Sequence, residues 1–176
     1  MANCVTLTQG RRLTCKGGLG GMKAISFGVW SEGLLTDVDG EISSVGAITE
    51  LFRYELKNAG NTYLEEIAAD AEARTVLYNG TLSVALHKLD LATRNEIKML
   101  AAGELVIFIE TYNGDVFVIG KENGAELTGG SIAETGGAKA DFYGSKLTFT
   151  TSESDPYSRL DSAGLVEYAS VIVNGI

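Results

Sequence analysis

Proline is nearly missing from this chain, with one residue in 176 against 22 glycines. A single proline excludes a polyproline linker, and glycines without an every-third-residue period exclude a collagen-like rod. Two cysteines, Cys4 and Cys15, and one histidine, His87, leave too few ligands for a structural zinc site, and no CxxC occurs. No apolar run approaches the roughly 20 residues that cross a bilayer as a helix, so no membrane partner is expected. The opening Met1-Ala2-Asn3-Cys4-Val5-Thr6 lacks the basic-then-apolar pattern of a secretory leader. Reduced thiols in an intracellular setting are the expectation, with no disulfide. What is present is globular composition, 45% hydrophobic and 21% charged. Glycines scattered among aromatic and β-branched runs point to strands joined by turns.

Basic charge is scarce and unevenly placed. Fourteen basic side chains against 23 acidic ones give a net charge of −9. Residues 1–30 carry Arg11, Arg12, Lys16 and Lys23 and no acid, whereas residues 31–73 hold ten acids against Arg53 and Lys57. A chain this acidic does not wrap nucleic acid by counterion release. The asymmetry suits a contact between subunits, with the basic arm (about 1–22) of one meeting the acidic loop (about 31–46) of another. The candidate interface residues are Arg11, Arg12 and Lys16 on the arm and Asp37, Asp39 and Glu41 on the loop. Solvated acids that keep the protein soluble are the plainer alternative.

The clearest local signal runs from Glu104 to Gly120. Two apolar runs flank Asn113-Gly114, a pair suited to a type I′ turn, which predicts a hairpin covered on both faces. Ahead of it, Asp90 is placed to cap a helix over Leu91–Ala102 that closes at Gly103, with Ile97, Leu100 and Ala101 forming an apolar stripe. Alternation predicts strands at 24–30, 51–57 and 74–89, with Gly80 marking a bulge or bend in the last. Further strands are expected at 145–151 and 164–173, and a strand and turn over 63–73. Residues 17–21, 31–46 and 124–137 read as loops. The whole chain, 1–176, reads as a single structural domain, mainly β, a β-sandwich or barrel with one flanking α-helix.

Chemistry-bearing patterns are thin. Gly130–Lys139 has glycines and a lysine but lacks the P-loop spacing and the following helix, and Gly17–Gly21 lacks GxGxxG. His87 lies on an expected strand without Gly-x-Ser-x-Gly elsewhere, so it reads as a packing or surface residue. Adjacent Glu65 and Glu66 would point to opposite faces of a strand, which argues against shared acid–base work. Asp37-Val38-Asp39-Gly40-Glu41 resembles part of a calcium loop without its full ligand set. No catalytic residue, cofactor, nucleotide or metal is expected.

One longer pattern remains. Tyr78-Asn79-Gly80-Thr81 through His87-Lys88-Leu89-Asp90 leads into the helix and Ala101-Ala102-Gly103. Tyr112-Asn113-Gly114, Gly120-Lys121-Glu122-Asn123-Gly124, Thr128-Gly129-Gly130, Thr135-Gly136-Gly137 and Asp141-Phe142-Tyr143-Gly144 follow. With Cys4, Gly10-Arg11-Arg12, Cys15-Lys16 and Gly20-Gly21-Met22-Lys23 at the start, this resembles virion structural proteins of tailed phages that infect Bacteroidetes-type bacteria. The resemblance implies a tail-tube-like fold and no enzymatic activity. It implies hexameric rings that stack into a conduit for genomic DNA, which passes without specific binding, and contacts with other virion proteins. It places the protein in the virion tail, made in the host cytoplasm. An acidic lumen would repel phosphate and let DNA slide. A head–tail joining, neck or capsid decoration protein is the alternative within virions. A carbohydrate-binding β-sandwich, with Trp30 and tyrosines stacking on sugar rings, is the alternative outside them.

Overall fold

The computed structural model describes residues 10–11, 17–57 and 59–174. The fold is mainly β, built on two sheets. The first half of the chain gives β1 (Met22–Val29), β2 (Asp37–Val38), β3 (Glu41–Ile42), β4 (Leu51–Glu55), β5 (Thr62–Asp70) and β6 (Thr75–His87). After helix α1 (Leu91–Leu100) come β7 (Leu105–Thr111), β8 (Val116–Ile119), β9 (Glu126–Glu134), β10 (Gly144–Glu153) and β11 (Ser158–Leu160). Helix α2 (Ser162–Val171) runs directly into β12 (Ile172–Asn174). The larger sheet has the order β12-β4-β1-β7-β8-β11-β3-β2, and the smaller has β5-β6-β10-β9.

The central strand dictates the layering. Leu105, Val106, Ile107, Phe108 and Ile109 are all buried, so β7 needs cover on both sides. On one side Leu105, Ile107 and Ile109 join Ile25 and Phe27 against Leu82, Val84, Leu147 and Phe149 of the small sheet, with Ile97 and Leu100 of α1 closing one end. The Phe27 and Phe149 rings meet at 5.1 Å across this seam. On the other side Val106, Phe108 and Val118 pack with Leu51, Ile42, Val45 and Tyr168, so α2 and the 42–48 segment form a third layer. The result is a sandwich whose larger sheet also carries a flanking helix.

The expected hairpin is present, but its turn differs. Asn113 keeps a negative φ and Gly114 alone is left-handed at +89°. The Gly114 N–H donates to Thr111 O (3.2 Å) and Thr111 N–H to Asp115 O (3.0 Å), a turn followed by a glycine bulge rather than type I′. Asn113 is instead held by its side chain, which both accepts from Leu19 N and donates to Leu19 O at 2.8 Å. The type I′ geometry appears at Asp39-Gly40, where φ values of +54° and +82° join β2 to β3. So the segment read as an acidic loop, and as part of a calcium loop, contains a small hairpin.

Three other expectations change. Residues 164–173, expected as a strand, form mostly helix, because the Asp161 side chain accepts from Gly164 N (2.8 Å) and starts the first turn. The described residues therefore hold two helices rather than one. Residues 126–134, read as loop for their glycines, pair along β10 with two register shifts, and Gly130 adopts φ +127° against the Lys146 carbonyl. Gly80 makes no bulge, since β6 pairs without a break on both sides. A Cβ there would collide with Thr151 and lie 2.9 Å from the Tyr63 hydroxyl, so close packing fixes this glycine.

Helix α1 matches its expected cap, with Asp90 accepting from Thr93 N at 2.7 Å. Its end lies at Ala101 in right-handed geometry rather than at Gly103, and Ala101 is exposed, so Ile97 and Leu100 carry the stripe. Replacing Leu100 by Ala is expected to lower stability by about 2–5 kcal/mol in urea unfolding. A change below about 1 kcal/mol would place the stripe outside the core.

Candidate assembly surface

The polar groups inside the fold were invisible to local patterns, because their partners are far apart in sequence. Lys121, two residues past the end of β8, has a side chain only 6% exposed and donates to Asp37 Oδ2 and Ser158 Oγ, both at 2.7 Å. Ser158 also donates to Asp37, and Asp37 Oδ1 accepts from Gly40 N at 2.8 Å. Burial pushes the Asp37 carboxyl up, but the bonds from Lys121, Ser158 and Gly40 outweigh it and hold it below its usual range. A serine–lysine pair can be a nucleophile and base only when the lysine is neutral and the serine is reachable. Here the lysine is taken up in the ion pair with Asp37 and Ser158 is fully buried, so the cluster is a fastener between the β2–β3 hairpin and β11.

A second network pins α2. Arg53 grips Glu110 through two bonds, Nε to Oε1 at 2.7 Å and Nη2 to Oε2 at 2.9 Å. The Tyr168 hydroxyl donates its one proton to Glu110 Oε1 (2.9 Å), so Ser26 must be the donor in its 2.8 Å bond to Tyr168. The Tyr168 ring stacks on Phe108 at 5.4 Å. The Arg53 guanidinium holds the Glu110 carboxyl below its ordinary value.

The residues singled out in the sequence separate into used and free groups. Asp37, Asp39 and Glu41 do come together on one hairpin. Asp37 is occupied by Lys121 and Glu41 is 3.1 Å from Arg159, while Asp39 is exposed. Arg11 is exposed, and Arg12, Lys16, Cys4 and Cys15 lie outside the described residues. Glu65 faces the sandwich, accepting from Tyr63 OH and Tyr157 N at 3.0 Å, and Glu66 faces out, as expected for neighbours on a strand. His87 is exposed, edge-on to Phe142 at 5.0 Å. Trp30 is not a free stacking platform: its indole lies against Gly124 and donates to Lys121 O at 3.2 Å. That observation weighs against the sugar-binding alternative.

The surface that stands out is the small sheet. Both of its outer strands, β5 and β9, have one unpaired edge among the described residues. Its outward face carries Asn79, Thr81, Thr150 and Ser152, with Glu66, Glu126 and the Lys146–Glu134 ion pair as charges. At one end β10 stops opposite Tyr78, and β5 and β6 continue together as a two-stranded arm. The arm exposes Ile67 by 69% and Val76 by 48%, on the face that nearer the body packs Tyr63 and Leu82 into the core.

At the base of the arm Glu153 is buried, accepting from Glu122 N at 2.9 Å, and burial raises its carboxyl pKa above the ordinary 4.5. A raised folded-state value means that the unfolded chain releases this proton first, so stability falls as pH rises through the window above 4.5. Glu153→Gln is expected to remove that fall, which Tm measured against pH would show as a flatter profile above pH 4.5 than the parent's. Tyr168→Phe keeps the ring stack but removes the hydroxyl between Ser26 and Glu110. It is expected to lower stability by about 1–3 kcal/mol in urea.

No family model, curated protein or solved structure matches the chain.

Proposed function

We propose that this chain is a virion structural protein, a tail-tube subunit that assembles into stacked hexameric rings around a DNA conduit. The observation that carries the reading is the small sheet, open among the described residues at both edges and on one face. Unpaired strand edges are templates for pairing with another chain, and folds that stay monomeric blunt or cover them. A second copy presenting β9 to β5 would extend the sheet and leave two new edges of the same kind. A heterologous contact of this sort closes into a ring when the rotation permits.

The outward face of that sheet suits a passage better than a binding site. DNA is held mainly through cations on its phosphates, and hydroxyl and amide side chains dominate this face. The acids expected to line a lumen are spread over several elements: Asp37 and Glu41 on the small hairpin, Glu55 on β4 and Glu66 on β5. A hydroxyl-rich wall with three glutamates, one of them paired with its single lysine, therefore takes the place of the acidic wall in this reading.

Negative-stain microscopy of the purified full chain is expected to show rings or tubes of one diameter. Monodisperse monomers at high concentration would sink the reading. The basic arm is tested separately, since Asp39 is the acid of its expected partners that lies exposed and outside the in-chain pairs of Asp37 and Glu41. Arg11→Glu with Arg12→Glu is expected to weaken assembly in sedimentation. Parental assembly of that double variant would remove the arm from the interface.

A further inference from the structure

The β5–β6 arm and a groove at the opposite end of the same chain both expose apolar side chains, and the charges beside them are opposite in sign. Strand β6 links them, running 13 residues from the arm to His87, about 40 Å at the usual rise per residue. On the arm, Ile67 opposes Tyr78 and Ala69 opposes Val76 on one face, while Ala68 opposes Leu77 on the other. Around these apolar side chains stand Glu66, Asp70 and Glu72, with Arg74 as the one base. At the far end, between the start of α1 and the end of β9, lies an open groove of about 380 Å³. Leu89, Leu91, Ile132 and Ala133 line it, and Lys88 and Arg94 stand at its rim. Leu91 is 71% exposed and Ile132 51%, and Asp90, also at the rim, is turned onto the Thr93 amide and hydroxyl as the helix cap.

We propose that the arm of one copy docks in the α1–β9 groove of a second copy, head to tail along the strand direction. This rests on the reading that the chain self-assembles, and it names the axial contact that ring formation through the sheet edges leaves open. Two arguments select another copy as the occupant. An isolated two-stranded ribbon is marginal in water, so an arm with this much apolar surface gains most from a cover. Its acids and the cations at the groove rim are also opposite in sign, whereas two arms or two grooves facing each other would repel. Because arm and groove sit at opposite ends, each docking leaves a free arm and a free groove. The contact repeats and builds stacks rather than closed pairs.

Sedimentation and negative-stain microscopy of full-length variants test this. An arm variant, Ile67→Asp with Val76→Asp, and a groove variant, Leu91→Asp with Ile132→Asp, alter exposed side chains. Each alone is expected to lose axial growth. Mixed together they are expected to form two-layer complexes that grow no further, because one intact arm meets one intact groove and the other pair is spoiled. Charge reversal provides a second route that leaves the apolar residues in place. Glu66→Lys with Glu72→Lys is expected to weaken stacking about tenfold or more, and adding Lys88→Glu with Arg94→Glu is expected to restore it. Tubes of parental length from both the arm variant and the Glu66/Glu72 reversal overturn the docking and leave the ring reading standing. Single-file filaments without rings in the parent overturn the ring reading and leave the docking. A parent that stays monomeric at high concentration overturns both.

Discussion

Burial of β7 on both faces is the constraint from which the rest of the structure follows. A strand with Leu105 through Ile109 all out of water cannot sit on a one-sided sheet, because every second residue would then face solvent. One cover is a second sheet and α1; the other is α2 with the short β2–β3 hairpin and the segment after it. Each cover arrives from distant sequence and must be fastened by more than apolar contact, which is non-directional. The two polar networks do that fastening. Arg53, Glu110, Tyr168 and Ser26 fix where α2 lies, and Lys121, Asp37 and Ser158 fix the hairpin against β11. Breaking either by removing one partner leaves buried polar atoms unpaired, which is more damaging than never having had the pair.

What could be read from the sequence was local and periodic. The β7–β8 hairpin, α1 with its Asp90 cap and the long β6 each announce themselves within one short stretch of chain. Helix α2 did not, since Leu165, Val166, Tyr168 and Val171 fit an alternating pattern nearly as well as a helical one. The deciding signal was Asp161 three residues before Gly164, a cap that has little weight when a glycine and two valines lie within the helix it starts. Strand β9 was hidden by Gly129-Gly130, which normally mark turns, yet there allow the chain to pass close to the β10 backbone. The networks were out of reach altogether, because Asp37 and Lys121 are 84 residues apart and nothing local pairs them.

The candidate surface was legible only as an imbalance of charge. Ten acids between residues 31 and 73 suggested one acidic face, but the fold sends them to different places and neutralises some. Glu55 joins Arg53, Glu41 joins Arg159, Asp37 joins Lys121, and Asp70 folds back on the amides of Glu72 and Ala73. A linear count of charge says nothing about these pairings. The open edges and the protruding arm depend on where β10 stops relative to β5 and β6, a matter of sheet register that no single segment encodes.

The base of the arm explains how an exposed ribbon could still be a specific contact. Glu65 accepts from both Tyr63 and the Tyr157 amide, and Gly80 lets Tyr63 and Thr151 close in behind β6. Next to them Glu153 is buried and bonded to the Glu122 amide, while Glu122 itself receives Ser154. The last stretch of three-stranded pairing is thus held by side-chain bonds to two loops, and the two strands leave it in a fixed direction. A ribbon aimed in advance loses less conformational freedom on docking than one that must first be ordered, so more of its apolar burial appears as affinity. The same fixed direction restricts which neighbour it can reach. Rigidity at the base, rather than any single side chain at the tip, is what would turn general stickiness into a repeating assembly contact.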